Sequence, residues 1–133
     1  MPRKSRKQPA SKRRAASKRR GVSFEDVRAL ALALPGSEEG TSYGTPAWRV
    51  RGKLFARIHD SGEALVVRVD LDERELAMAA DPETFFITDH YRDHPMMLVR
   101  LDHVMRAQLA DVIAESWRRM APKRLLALHA ATP

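Results

Sequence analysis

Three successive segments of the chain alternate apolar and polar residues with a period of two. The segments are residues 47–52 (AWRVRG), 53–60 (KLFARIHD) and 64–71 (ALVVRVDL). This period is typical of strands that bury one face and expose the other, as in antiparallel sheets. Gly52 and the segment 60–63 (DSGE) suit tight turns between the strands. The pattern predicts a sheet built from consecutive hairpins.

A helical pattern precedes these strands. Ser23 is followed three residues later by Asp26, a weak variant of the capping box, since Glu or Gln is usual at that place. Apolar residues recur at positions 24, 27, 30, 31 and 34, and the pattern ends at Pro35-Gly36. We therefore expect a helix that begins at Ser23, followed by a loop over residues 37–46.

The second half of the chain mixes helices and strands. Residues 72–82 suit a short helix with acids in its first turn, where the helix dipole favours them. Residues 84–88 and 96–101 suit two further strands, a helical stripe runs from 105 to 120, and Pro122 suits the first turn of a last helix. The order α-β-β-β-α-β-β-α-α predicts a compact, mainly antiparallel α+β domain with helices on one sheet face.

Positive charge is concentrated at the start of the chain. Residues 1–20 contain ten of the 24 Lys and Arg residues and no acid, so the other 113 residues carry 14 basic and 17 acidic groups, a net charge of −3. The basic segment is low in complexity and cannot bury enough apolar surface to offset its ordering entropy. We expect residues 1–21 to be a disordered basic tail and residues 22–133 to be a single domain.

This tail suits a polyanionic partner. Clustered cations neutralise phosphates without reading sequence, and such binding weakens steeply with salt. We expect a non-specific DNA- or RNA-binding arm. The alternatives are a solubilising extension, or a segment that is not translated, because valine codons can serve as bacterial starts and Val22 precedes the domain. The cations of the repeated SKRR motif are Lys12, Arg13, Arg14, Lys18, Arg19 and Arg20.

The composition excludes several chemistries. The chain has no cysteine, which excludes disulfides, thiolate metal sites and cysteine nucleophiles. No apolar run approaches the roughly 18–20 residues that span a bilayer, and no apolar segment of a secretory signal follows the basic start. We expect a cytoplasmic protein that does not contact a membrane.

Three stretches carry a wider pattern. Residues 31–59 (ALALPGSEEGTSYGTPAWRVRGKLFARIH) combine an LPG-plus-acids helix end with an aromatic-x-V-x-G-K-x-F-A hairpin. Residues 81–101 (DPETFFITDHYRDHPMMLVRL) and 115–127 (ESWRRMAPKRLLA) follow, the last with a tryptophan in a predicted helix. Together, over residues 23–130, they resemble the MmcQ/YjbR family of small bacterial proteins.

The resemblance implies an α+β domain of the secretion-chaperone-like type. It also implies a double-wing arrangement of hairpins, for which DNA binding has been suggested, and no established enzymatic reaction. The basic segment before Ser23 is not part of the family pattern, so its role rests on its charge alone.

The polar positions of the three predicted strands carry many cations. If the strands pair in order, these residues project from one face as a basic patch, with Phe55 as a stacking surface for bases. The alternative is an ordinary solvated face, for which Arg and Lys are common. The cations are Arg49, Arg51, Lys53, Arg57, Arg68 and, as an additional member, Arg100.

Two acids and a tyrosine lie in the predicted loop before the first strand. Glu38 and Glu39 form a carboxylate pair of the kind that performs acid–base work, with Tyr43 close in sequence. Such a pair needs a cleft and a partner, so we interpret the acids as solvated loop residues.

Residues 88–95 (TDHYRDHP) contain two histidines and two aspartates. His90 and His94 have the spacing of a zinc-binding helix, but Pro95 disfavours helical dihedrals at His94 and the flanking segments are predicted strands. A metal site would need the loop to fold back on itself. We therefore expect no metal here.

A hairpin tip is the expected structure of this segment. It corresponds to a wing tip of the family, where Arg92 and the two histidines could contact phosphate, although Asp89 and Asp93 would repel it. The alternative is structural: the Asp side chains cap turn amides while His90 or Tyr91 packs against the sheet.

These patterns favour a DNA-binding protein that is non-specific or weakly specific. It would contact DNA through the basic tail and through the Arg-rich sheet face or the hairpin wings, with Arg92 among the contacts. The alternative is a protein- or ligand-binding module whose acidic domain docks a partner. Neither function requires a catalytic residue, a metal or a cofactor, so we do not expect an enzyme.

Overall fold

The computed structural model describes residues 20–131 and contains a six-stranded antiparallel sheet and four α-helices. The strands lie in the order β1-β2-β3-β4-β6-β5. The predicted α+β class is confirmed. The elements are α1 (Phe24–Leu32), β1 (Ser37–Ser42), β2 (Thr45–Val50), β3 (Lys53–Ile58), β4 (Ala64–Arg68), α2 (Leu71–Ala80), β5 (Phe85–Phe86), a 3₁₀ turn (Asp89–Tyr91), β6 (Met96–Arg100), α3 (Arg106–Met120) and α4 (Lys123–Ala131).

The predictions for the first 19 residues lie outside the described residues. They concern the disordered tail and the cations Lys12, Arg13, Arg14, Lys18 and Arg19. Arg20 is described: it forms a β-bridge with Met105, and its guanidinium donates to the carbonyl of His103 at 3.2 Å. Within the described part of the chain, no helix is both long and apolar enough to cross a membrane.

Helix α1 begins as its sequence predicts. The Asp26 amide donates to the Ser23 hydroxyl at 3.1 Å, and the Ser23 amide donates to the Asp26 carboxylate at 2.9 Å, which completes the capping box. The hydrogen bond from the Ser23 amide lowers the pKa of Asp26. The helix then directs Val27 and Ala31 into the core.

The prediction of a loop over residues 37–46 is wrong. Residues Ser37–Ser42 form β1, which pairs with β2 along its whole length, from Ser37 opposite Val50 to Ser42 opposite Thr45. This strand lies at the edge of the sheet and exposes most of its side chains, so its sequence (SEEGTS) has no apolar alternation. Its backbone hydrogen bonds come from pairing with β2 rather than from any local pattern.

Two tight turns join the first three strands. Tyr43 and Gly44 connect β1 to β2 with φ angles of 54° and 82°, and Arg51 and Gly52 connect β2 to β3 with φ angles of 51° and 82°. Two consecutive positive φ angles are the signature of a type I′ hairpin turn. Glycine adopts this conformation readily, but Tyr43 and Arg51 are bulky residues in a region that disfavours them.

All four helices pack on one face of the sheet, as predicted, and the core lies between these layers. Trp48 of β2 and Trp117 of α3 are its largest fully buried side chains, and the Trp117 indole donates to the Pro35 carbonyl at 3.0 Å. The opposite face carries a smaller apolar cluster in which Tyr91 packs against Val66 and other sheet residues.

A β-bulge changes the predicted role of Phe55. Trp48 pairs with Ala56 and Arg49 pairs with Leu54, so Phe55 is an extra residue in β3. The bulge turns its side chain into the helix-covered core, where it is 1% exposed. The prediction of Phe55 as a stacking surface on the polar face is therefore wrong.

Candidate nucleic-acid interface and a separate polar cleft

The structure divides the predicted basic patch. Arg49 and Arg68 lie on the sheet face opposite the helices, whereas Lys53 pairs with Val50 and Arg51 lies in the turn. Arg57 belongs to the same face as Arg49 but is only 6% exposed. The prediction of a single exposed basic face that includes Arg57 is therefore wrong. The reason is a long-range contact, because Tyr91 covers this part of the sheet.

Uncompensated positive charge collects at the β2–β3 turn. Arg51 and Lys53 are exposed, and no carboxylate in residues 20–131 forms an ion pair with either of them. Arg49 donates to the Thr41 carbonyl at 3.1 Å, and Arg68 lies 3.5 Å from the Leu54 carbonyl. Carbonyl oxygens are neutral, so these two guanidinium groups keep their full charge. Glu38 of β1 lies opposite Arg49 in the sheet register.

Helix α4 begins at the same end of the sheet. The side chains of Leu125 and Val50 both border the space in front of Gly36, so the first turn of α4 lies beside the last residue of β2. This turn brings two further exposed cations for which no ion pair is found in the described residues. The resulting surface, here called the basic end, consists of Arg49, Arg51, Lys53, Arg68, Lys123 and Arg124.

Many cations elsewhere on the domain are neutralised. Arg92, a predicted contact residue, pairs with Asp89 at 2.5 Å, and Arg119 pairs with both Asp70 and Glu73. Arg100 lies 4.0 Å above the ring of Phe86. Further ion pairs join Arg28 to Glu25 and Glu39, Arg106 to Asp26, and Arg118 to Glu115. Among the described residues, the basic end is therefore a cluster of six cations without ion pairs, and Arg20 and Arg100 are two further exposed cations that contact only backbone carbonyls or a ring.

The segment 88–95 connects β5 to β6 and is held by a buried arginine. Arg74 of α2 donates to the carbonyl oxygens of Tyr91, Arg92, His94 and Met96 at 2.8–3.0 Å. Tyr91 packs against the sheet, which confirms part of the structural alternative. Asp89 does not cap the turn; its carboxylate accepts from Arg92 instead.

This clamp folds the segment back on itself. The rings of His90 and His94 lie 5.9 Å apart, closer than an extended segment would allow. Among residues 20–131, however, no group of three His, Asp or Glu side chains is placed to hold a metal ion. Two imidazoles without a third ligand fall short of the usual zinc site.

A polar cleft of about 440 Å³ lies at the other end of β2 and β3. Arg57 lines it and donates to the Tyr91 hydroxyl at 3.3 Å, to Asp60 at 3.2 Å and to the Thr45 hydroxyl at 2.9 Å. Burial alone would lower the pKa of Arg57, but the hydrogen bonds with Tyr91 and Asp60 outweigh it and raise that pKa. The lining residues are Tyr43, Arg57, His59, Asp60, His90 and Tyr91.

Two histidines stand at the rim of the cleft. The Ser61 amide lies 3.3 Å from Nδ1 of His59, and since an amide can only donate, Nδ1 is the acceptor. The Ser61 hydroxyl lies 3.0 Å from the same nitrogen, so Nε2 is the ring nitrogen without a contact to this turn. His90 stands edge-on against Tyr91, with ring centroids 4.7 Å apart. None of these groups was predicted to belong together, because they come from three separate turns.

The two acids before β2 do not form a catalytic pair. Glu38 and Glu39 are adjacent residues of β1, so their side chains leave opposite faces of the strand. Glu39 accepts from Arg28 at 2.8 Å and from the Trp48 indole at 3.0 Å, and the hydrogen bond from Arg28 lowers its pKa. It joins α1 to β2, whereas Glu38 is exposed.

Comparisons with known proteins agree with this fold. The family model described as YjbR matches residues 32–119. The chain is 31% identical, over 123 residues, to uncharacterised proteins of Mycobacterium bovis and Mycobacterium tuberculosis, covering 79% of this chain and 93% of theirs. The crystal structure of a Deinococcus radiodurans protein with the family-model domain DUF419 superimposes with a TM-score of 0.62 at 22% identity, over 71% of this chain and 75% of that one.

Proposed function

The chain belongs to the YjbR family, and from its charge distribution we propose that it binds nucleic acid, DNA in particular, without strong sequence preference. Contacts come from the basic N-terminal segment and from the basic end of the sheet. The proposal rests on one observation: Arg51 and Lys53 are exposed, and neither forms an ion pair within residues 20–131. The 113 residues after position 20 nevertheless have a net charge of −3. A net acidic domain that gathers a cluster of unpaired cations at one end suits docking on phosphates.

The shape of the basic end supports the same proposal. The β2–β3 hairpin projects Arg51 from a two-residue turn, as a wing that can follow a groove or a backbone. Arg57 takes no part, because it is buried, and Arg92 contributes little charge, because Asp89 neutralises it. The proposed contacts on the domain are therefore Arg49, Arg51, Lys53 and Arg68, supplemented by Lys123 and Arg124.

The first 19 residues supply affinity rather than geometry. They contain nine Lys or Arg residues and no acid. Arg20 anchors the end of this segment beside His103. An extended chain spans at most about 3.3–3.6 Å per residue, so a segment of this length can reach phosphates well beyond the domain. Binding of this kind requires no catalytic residue. We propose that the protein acts in the cytoplasm.

Fluorescence anisotropy with a labelled duplex of mixed sequence tests the proposal. The full chain should bind at about 50 mM salt with micromolar affinity. A form that begins at Arg20 keeps the whole described core and should bind more weakly. Absence of binding by the full chain at this salt concentration contradicts the proposal, because non-specific contacts are strongest there.

A module that binds a ligand or a protein partner is the second candidate function. The observation that favours the ligand form is the cleft around Arg57, which is built from residues far apart in sequence. Nucleic-acid binding that does not respond to changes at the basic end, together with a ligand in the cleft, would favour this alternative.

A further inference from the structure

We propose that the polar cleft around Arg57 binds a small molecule with an oxyanion, carboxylate or phosphate, attached to an aromatic ring. The cleft shares no residue with the basic end. It lies by the Tyr43–Gly44 turn, whereas the basic end lies by the Arg51–Gly52 turn at the opposite end of β2. This inference therefore goes beyond nucleic-acid binding and does not depend on it.

The oxyanion is assigned to Arg57. The Arg57 side chain is only 8% exposed. Among the residues that the structure describes, its one ionic partner is Asp60, whose side chain is 70% exposed. Its other partners, which are Thr45, Tyr91, the Ile58 carbonyl and the Tyr43 ring, are neutral. Burying a charge is costly unless the charge is paired. Asp60 is solvated and stabilises the Arg57 cation only in part, so a bound anion would stabilise it further.

Two further donors face the same space. The Tyr91 oxygen accepts from Arg57, which leaves the hydroxyl proton free to be donated to a ligand. Nδ1 of His59 contacts the Ser61 amide and hydroxyl, which leaves its Nε2 as the ring nitrogen available to a ligand. Charge-assisted hydrogen bonds to an oxyanion are among the strongest that a cleft of this kind can form.

The aromatic part of the ligand is assigned to Tyr43. Its side chain is 87% exposed, and the Arg57 guanidinium lies 5.4 Å from its ring centroid. Its φ of 54° places it in a region that costs a bulky residue about 1–3 kcal/mol. The first position of a type I′ turn favours Asn, Asp or Gly, so the turn alone does not explain a tyrosine. The contact with Arg57 accounts for an aromatic residue here, and the exposed part of the Tyr43 ring offers a surface on which a planar ring can stack.

The dimensions agree with this class of ligand. A volume of about 440 Å³ falls within the range of roughly 300–1,000 Å³ that is typical of small-molecule sites. His90, edge-on to Tyr91, also lines the cleft and adds a second aromatic ring to its wall.

An NMR titration of the full chain tests the inference. The probes are phenyl phosphate and benzoate, with inorganic phosphate and phenol as half-ligands. We expect one or both aromatic anions to shift the resonances of Tyr43, His59 and Tyr91 saturably, with at least tenfold higher affinity than either half-ligand. Comparison of the two aromatic anions decides between phosphate and carboxylate.

Two matched variants complete the experiment. Tyr43→Asn suits its turn, so it should stay folded and lose at least tenfold in affinity for the preferred probe. Arg51→Asn is the same kind of change at the other turn and should leave that affinity unchanged. Absence of saturable shifts up to about 10 mM probe, or equal affinities in the Tyr43→Asn variant and the parent, would overturn the inference. Loss of nucleic-acid binding in either variant has no bearing on it.

Discussion

Nη1 of Arg74 lies 2.8 Å from the carbonyl oxygen of His94, 20 residues further along the chain. The same guanidinium reaches three more carbonyls of that segment, those of Tyr91, Arg92 and Met96. One buried side chain of α2 therefore fixes the path of the backbone that carries Tyr91 onto the sheet. The position of Tyr91 in turn buries Arg57 and shapes the cleft.

The Arg74 clamp is tested by Arg74→Lys. Lysine keeps the charge but lacks the planar fork of donors, so several buried carbonyls lose their partners. We expect the free energy of unfolding to fall by about 2–4 kcal/mol and amide exchange to accelerate across residues 88–96. Arg92→Gln is the control, because it removes only an exposed ion pair, worth at most about 1 kcal/mol. Equal effects of the two changes in denaturant melts would contradict the clamp.

Ser116 stabilises the bulge at Phe55. Its hydroxyl donates to the Phe55 carbonyl at 2.5 Å and accepts from the Arg68 amide at 2.8 Å, and its side chain is fully buried. Ser116→Ala leaves two backbone groups without partners and should lower the free energy of unfolding by about 2 kcal/mol. Chemical denaturation measures this. A change below about 0.5 kcal/mol would show that water or strand pairing satisfies both groups.

Asp70 should make stability depend on pH. The hydrogen bond from Arg119 lowers the pKa of Asp70 in the folded protein. A carboxyl whose folded pKa lies below its unfolded pKa contributes stability above the unfolded value and loses it as pH falls through the folded value. NMR titration should place the pKa of Asp70 below its ordinary value in the parent and return it towards that value in Arg119→Gln. The same pKa in both proteins would rule out this ion pair as the cause.

Local patterns account for the elements whose signals lie within a few residues. The capping box of Ser23 and Asp26, the period of two in β2 to β4, and the apolar stripe of α3 all correspond to observed structure. Strand β1 has no such signal, because its partner and its turn define it. The same holds for Phe55, whose side chain faces the core only because β3 has one residue more than β2 opposite it.

The composition of the basic end and of the polar cleft depends on contacts between residues far apart in sequence, which no local pattern reveals. Arg57 looked like a surface cation because it alternates with apolar neighbours, yet Tyr91, 34 residues away, covers it. Lys123 and Arg124 belong to the basic end only because Leu125 packs beside Gly36 and Val50. The one local signal that marks both sites is a bulky residue before glycine in a two-residue turn, Tyr43 in one and Arg51 in the other.

The salt dependence of DNA binding tests the central claim most directly. The parent is compared with Arg51→Asn/Lys53→Gln at several salt concentrations. The control is Arg106→Gln/Arg118→Gln, which removes two cations that are already ion-paired. Since Asn suits the turn better than Arg, the first variant should be at least as stable as the parent. Its plot of log affinity against log salt should become shallower by about one to two units, at about 0.9 per phosphate contact, while the control keeps the parent slope. Equal slopes in all three proteins, or an equal loss in the control, would contradict binding through the basic end.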